Sequence, residues 1–210
     1  MAESAKQPPS GGYDLVHFAK LDAVEDRHFW FRARGRAIDS VVRQIAAPLA
    51  PGYRVLELGC GNGTVLRILQ NACPTAKVIG MDLFLEGLRF AKNRSNCLLI
   101  QGDMRKHPFG ETKFDLIGCF DVLEHLRDDV EVLRGIHALL APGGALFLTV
   151  PAHMSLWSSF DEVSGHCRRY SAAELRQKLV GTGFRMEYLS QFMVSILPLM
   201  STSRRLSHLR

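Results

Sequence analysis

The chain has 210 residues, 47% hydrophobic and 22% charged, with a formal net charge of +5. That composition suits one globular domain with a substantial core, and no run of 18 apolar residues is present to span a bilayer. Five cysteines (Cys60, Cys73, Cys97, Cys119, Cys167), with no Cys-x-x-Cys pair, argue against a disulfide framework or a structural zinc site and suit a reducing, cytoplasmic setting.

Residues 1–12, MAESAKQPPSGG, lack an apolar signal core and read as a disordered tail. Residues 13–50 form a helical segment. Leu15, Phe18 and Leu21, then Phe29, Phe31, Ile38, Val41, Val42 and Ile45, keep helical spacing in one or two helices that end near Ala47-Pro48. Its centre, HFWFRARGR, is aromatic and basic, and Trp30 there is a candidate lid residue over a binding site.

From residue 51 strands alternate with helices: strand 54–58, helix 64–71, strand 77–81, helix 83–93, strand 98–101, strand 114–120. Val130, Leu133, His137 and Leu140 give a helix stopped by Pro142-Gly143-Gly144, and a fifth strand follows over 145–150. Ser171-Ala-Ala-Glu174 is a capping box opening another helix, and a sixth strand is expected over 184–189. This alternation predicts a doubly wound, mostly parallel α/β sheet in one domain, 51–190. The stretch from Pro151 to Tyr170 is long for a plain connection and reads as a lid or binding loop.

The strongest motif is Val55-Leu-Glu57-Leu-Gly59-Cys60-Gly61-Asn62-Gly63-Thr, where a strand hands over to a helix. A dinucleotide fingerprint needs G-x-G-x-x-G. Here the third glycine comes one position early, which disfavours a nicotinamide-dependent oxidoreductase. Asp82 ends the second strand, where a carboxylate can accept from ribose hydroxyls. Asp103 ends the third strand, placed for an adenine amino group, and Phe120-Asp121 ends the fourth.

Taken together, Glu57 to Gly63, Gly-Met-Asp82, Gln-Gly-Asp103, Phe114 to Asp121-Val-Leu-Glu-His125 and Leu139-Leu-Ala-Pro-Gly-Gly144 resemble the successive motifs of class I S-adenosylmethionine-dependent methyltransferases. The resemblance covers roughly residues 52 to 190. It comes nearest the subgroup with quinone-biosynthesis O-methyltransferases, the type 11/12 methyltransferases. It implies a Rossmann-like fold and S-adenosyl-L-methionine as cofactor. By that resemblance Glu57 and the loop Gly59, Cys60, Gly61, Asn62, Gly63 surround the methionine moiety, and Asp82 with Leu83 takes the ribose. Asp103 and Met104 flank the adenine, and Phe120 with Asp121 meets the cofactor's amino group.

Methyl transfer from a sulfonium needs alignment and the loss of one proton, and no metal in principle. Candidate bases are His125, His153 and His166, with Asp161 beside them in the long loop. Arg168 and Arg169 are candidates to receive an acceptor carboxylate or phosphate, with Tyr170 alongside. The alternative is that they bind Asp161 or Glu162 and hold the loop. No Asn-Pro-Pro-Tyr motif follows the fourth strand and no cysteine sits after proline, so a small-molecule acceptor is expected, with O-methylation favoured. The net charge permits nucleic acid or anionic lipid as partner, but the basic residues are dispersed and no nucleic acid is expected.

One departure stands out. The family sheet has a seventh, antiparallel strand between the fifth and sixth, and after Leu189 only Gln191–Met200 and a basic tail remain, with Pro198 against a strand. A missing seventh strand is expected, leaving an apolar tail over 191–210 for dimerisation or membrane-surface contact. A non-catalytic, methyltransferase-like scaffold is the rival reading.

Overall fold

A computed structural model of the chain describes residues 16–194. Two helices open it, α1 (Val16–Glu25) and α2 (Phe29–Ala46). Then come β1 (Arg54–Leu58), α3 (Thr64–Ala72), β2 (Lys77–Asp82), α4 (Leu85–Arg94), β3 (Leu98–Gln101) and β4 (Phe114–Phe120). The rest is α5 (Asp129–Leu139), β5 (Leu140–Thr149), α6 (Ser159–Val163) and α7 (Ala172–Gly181). The five strands pair in parallel in the order β3-β2-β1-β4-β5. The doubly wound sheet expected from the sequence is present. Its order reverses between β1 and β4, and sheets of this kind bind ligands at the carboxyl ends of the strands beside such a reversal.

Strand periodicity divides the core. Val55 and Leu116 point to the side covered by Ile38 and Val42 of α2 and Leu69 of α3. Leu56, Leu58 and Ile117 point to the other side, against Leu133, Ile136 and Leu139 of α5 and Leu175 and Leu179 of α7. With both faces covered, β1 and β4 read as nearly unbroken apolar runs.

Two expectations need correction. Helix α5 stops at Leu139, before Pro142-Gly143-Gly144, and that triplet lies inside β5. Leu140 pairs with Phe114 and Ala145 with Leu116, so the residues between bulge out of the ladder. A proline without an N–H is tolerated at a bulge. Gly143 has φ +78, and a Cβ on Gly144 would lie 2.9 Å from the Phe114 carbonyl. The second correction is the sixth strand. Residues 184–189 are not a strand; Phe184 and Met186 pack on the core while Tyr188 and Leu189 stay exposed. A strand needs a hydrogen-bonding neighbour, and no strand flanks the outer edge of β5 among the described residues. The apolar run 191–200 lies outside the described residues beyond Val194, as do residues 1–12 and the basic end.

The segment 151–170 is less loop-like than expected. It holds a 3-10 turn, Met154–Leu156, and α6, and an isolated parallel bridge joins Ala152 to Tyr170. Ser171 caps α7 by accepting from the Glu174 amide at 3.1 Å, whereas the Glu174 carboxylate pairs with Lys178 at 3.0 Å. All five cysteines are free. No helix among the described residues is long and apolar enough to cross a membrane.

Candidate active site

The loop after β1 is drawn tight by backbone bonds. The amides of Gly59 and Cys60 both donate to the Met81 carbonyl, at 2.8 and 3.0 Å, and Gly63 donates to Cys60 at 2.8 Å. Asp82 then anchors the loop: its carboxylate accepts from the Gly61 amide at 2.7 Å and from the Phe84 amide at 2.8 Å. Burial raises the Asp82 carboxyl, and the Phe84 and Gly61 amides oppose that rise. The Cys60 side chain turns into a small core with Leu66 and Leu88, and burial pushes its thiol up.

The three glycines serve different ends. A Cβ on Gly59 would lie 2.4 Å from Val122 Cγ2, and one on Gly63 would lie 2.7 Å from the Cα of Ala91 in α4. These two are glycine for packing. Gly61, at φ +48, would place a Cβ no nearer to protein than Phe18 at 4.0 Å. Its side-chain space belongs to the cleft, so a ligand there can meet the backbone itself.

Two cavities meet at this loop, sharing Phe18, Gly59, Gly61 and Asp121. The upper one, about 160 Å³, is lined by Asp82, Leu83, Asp103, Met104, Phe84 and His125. Arg105 holds Asp103 through both carboxylate oxygens, which keeps that carboxyl below the usual range. The lower one, about 180 Å³, is lined by Glu57, Asn62, Phe120, Asp121, Glu25 and Arg34. Glu57 is buried, and its Oε2 has no hydrogen-bond partner; Asn62 Oδ1 also has none. Burial pushes the Glu57 carboxyl well up, against the opposing charge of Arg34. Arg34 itself pairs with Asp121 at 2.7 Å and donates to Thr149 at 3.1 Å, and Thr149 donates to Asp121 at 2.8 Å. Asp121 adopts φ 55, a strained conformation of the kind that clusters at binding sites. Carboxylates and a guanidinium below, and two carboxylates among apolar side chains above, fit an amino-acid zwitterion joined to a nucleoside.

Helix α1 covers the loop. The Phe18 carbonyl accepts from Asn62 at 2.9 Å, and Glu25 accepts from Thr64 at 2.6 Å. Asp22 and Asp26 pair with Arg94 at 2.7 and 3.0 Å, and Arg67 reaches Asp26 at 2.5 Å. Within the segment 13–50, α1 is the part that lies over the loop, while the second half of α2 belongs to the core. Trp30 is half-buried, with Arg34 over its ring at 5.5 Å and Phe192 edge-on at 6.3 Å. Phe31 lines the lower cavity, whereas Phe29, read in the same helical spacing, is 62% exposed.

Of the three candidate histidines only His125 lines the cleft. Burial pushes it down to about 4, with nearby His166 adding to the effect, so the ring is neutral at pH 7. His166 stands edge-on to it at 4.8 Å. His153 faces Gln191 at 3.4 Å instead. The acceptor-binding expectation for the long loop is redirected by the geometry. Asp161 is fully buried and receives Arg169 at 2.7 and 3.0 Å. Arg168 bonds Asp129 and the Arg127 carbonyl, both at 2.9 Å. Tyr170 is buried and donates to Asp129 at 2.8 Å. These four side chains hold the loop, and none of them lines either cavity.

Sequence reasoning missed Arg34, Phe18, Thr149 and the buried Glu124. Arg34 left a trace: it follows Trp30 by four residues, which puts both on one face of α2.

The family described as "Methyltransferase domain" matches residues 29–189. A Mycolicibacterium smegmatis protein named "Probable S-adenosylmethionine-dependent methyltransferase" is 27% identical over 170 residues, 80% of this chain and 63% of that protein. A ubiquinone biosynthesis O-methyltransferase of Xanthomonas campestris pv. campestris is 31% identical over 156 residues, covering 68% of this chain and 64% of that enzyme. The chain thus spans under two thirds of the length of these curated relatives. Among solved structures, an O-methyltransferase family protein from Burkholderia thailandensis matches with TM-score 0.66 at 18% identity, over 85% of this chain and 60% of that one. At such identity the likeness is one of fold.

Proposed function

This chain belongs to the class I S-adenosylmethionine-dependent methyltransferase family, and on that premise we propose that it transfers the methyl group of S-adenosyl-L-methionine to an oxygen of a small-molecule acceptor. The observation that carries the reading is the two-lobed cleft on either side of Gly61, with Glu57, whose buried Oε2 has no partner, in one lobe and Asp82 in the other. When bound, the cofactor supplies a methyl group on a sulfonium, transferred by in-line displacement with a neutral thioether left behind.

The chain's own residues do the holding. Asp82, fixed by two backbone amides, keeps free lone pairs for the ribose hydroxyls, and Leu83 and Met104 offer apolar surface to a purine. Glu57 and Asp121 favour an ammonium group, and Arg34 a carboxylate. Phe18 and the rest of α1 keep water from the loop. His125 is the candidate base at the wall of the cleft, so the acceptor's proton leaves on that side. The name of the Xanthomonas relative supports oxygen as the methylated atom.

Thermal unfolding with S-adenosylmethionine, S-adenosylhomocysteine and NAD in parallel tests the binding half. A ligand at 100 times its Kd adds about 2.7 kcal/mol to stability. Stabilisation by the two adenosyl compounds and not by NAD is expected. No shift with any of the three would favour the scaffold reading. Methylated products from a panel of hydroxylated small molecules test the transfer itself.

A further inference from the structure

Behind His125 lies a cluster that the binding of S-adenosylmethionine does not use. Glu124 is 1% exposed, and neither of its carboxylate oxygens has a hydrogen-bond partner. A buried, unpartnered carboxylate is costly and is normally matched by a cation. The side chains of His125 and His166 face it: one ligand atom from each of the three lies within 4.8 Å of the others. Donor atoms around one metal ion at about 2.1 Å sit roughly 3.5 Å apart, so the three would draw together to hold an ion.

The surroundings point the same way. Metal-binding histidines are usually held from behind through their other ring nitrogen by a carboxylate or a backbone carbonyl. His166 Nδ1 lies 2.9 Å from Asp161 Oδ1, and Arg169 clamps that same carboxylate. The Gly165 backbone hydrogen-bonds the His125 ring. The backbone is fixed as well, since the Cys167 amide donates to the Glu124 carbonyl at 2.7 Å and the His166 amide to the Asp161 carbonyl at 2.9 Å. We propose that Glu124, His125 and His166 form a binding site for one divalent transition-metal ion beside the cleft, with Asp161 and Gly165 as its supports. Two imidazoles and one carboxylate suit zinc and its neighbours better than magnesium. Because His125 also lines the upper cavity, an acceptor hydroxyl bound to such an ion would lose its proton more readily. His125 would then act as a ligand, in place of the base role proposed for it without metal. Metal binding itself does not rest on the methyl-transfer reading, and it is measured without cofactor or acceptor.

The test uses the full chain, stripped with a chelator and titrated with Zn²⁺ by calorimetry and with Co²⁺ by visible spectroscopy. One equivalent of each ion should bind. The Co²⁺ complex should show ligand-field bands of a four- or five-coordinate site and no thiolate charge-transfer band. Glu124→Gln, which replaces an unpartnered carboxyl by an amide of the same shape, should keep the unfolding midpoint of the stripped chain and bind Zn²⁺ at least 100-fold more weakly. His166→Asn should weaken it likewise, and His153→Ala should bind as the parent does, because the His153 ring faces Gln191 and is not among the three donors. The proposal fails if no stoichiometric ion is taken up or if Glu124→Gln and His166→Asn bind as the parent does. It fails equally if the cobalt spectrum places the ion on cysteine sulfur.

Discussion

At the scale of single residues, Gly61 and Gly63 look interchangeable in the sequence and are opposites in the fold. Alanine at Gly61 adds a methyl group to the cleft and holds a non-glycine residue at φ +48, which costs about 1 kcal/mol. Gly61→Ala should therefore lower Tm by only a few degrees while weakening S-adenosylhomocysteine binding about tenfold or more. Alanine at Gly63 meets the backbone of α4 at 2.7 Å, so overpacking adds about 1–3 kcal/mol to the same kind of backbone strain. Gly63→Ala should lose stability first, with a clearly larger fall in Tm. Calorimetric Kd and thermal midpoints for the two variants check the contrast; equal effects on both would mean the loop glycines share one role. The motif spacing made the cleft legible because a glycine loop after a strand has few uses. What it hid was Arg34, whose value depends on Asp121 and Thr149 arriving from β4 and β5, far away in the chain.

The elements themselves were legible where burial was two-sided. The runs Arg54–Leu58 and Phe114–Phe120 were placed to the residue because strands buried on both faces leave little choice of register. The misplaced elements were those whose state is decided elsewhere. Residues 184–189 have strand composition without a strand beside them, and Pro142-Gly143-Gly144 stops a helix or bulges a strand equally well. Helix α1, expected within 13–50 and found at Val16–Glu25, is held to the cleft by several polar contacts. Arg94 joins it to α4 through Asp22 and Asp26, with the Arg94 side chain 10% exposed and Asp26 48% exposed. With the aspartate end of each pair open to solvent, screening keeps the contribution to about 1 kcal/mol each. Arg94→Met should thus leave the global midpoint nearly unchanged while α1 opens more often. Hydrogen exchange should quicken over residues 16–25 and not in β1 or β4, and S-adenosylhomocysteine should dissociate several-fold faster. Uniformly faster exchange across the sheet would show instead that Arg94 supports the whole domain.

For the molecule as a whole, the polar part of the joint between α5, α7 and the long loop centres on a single carboxylate. Asp129, buried at the start of α5, accepts from Tyr170 at 2.8 Å, from Arg168 at 2.9 Å and from Lys178 at 2.5 Å. Burial alone would raise this carboxyl, but the Lys178 and Tyr170 hydrogen bonds and the charges of Lys178 and Arg168 outweigh it and hold the group below its ordinary range. A carboxyl depressed in the folded state binds fewer protons there than in the unfolded chain. Its contribution is therefore complete above the unfolded value of about 3.9 and disappears as pH falls through the lower, folded value. Asp129→Asn removes the charge while keeping the shape, and it leaves Lys178 and Arg168 facing a neutral amide. The expected loss at pH 7 is about 3 kcal/mol, or about 10 °C in Tm for a domain of this size. The gap between parent and variant should stay constant from pH 7 down to about pH 4, then close as the parent's own carboxyl is protonated. Thermal midpoints of both proteins from pH 7 to pH 2.5 measure that gap. If the two curves stay parallel through the acid range, the charge on Asp129 is not what joins α5 and α7, and the packing of Tyr170 against Leu123 and α7 carries the joint instead.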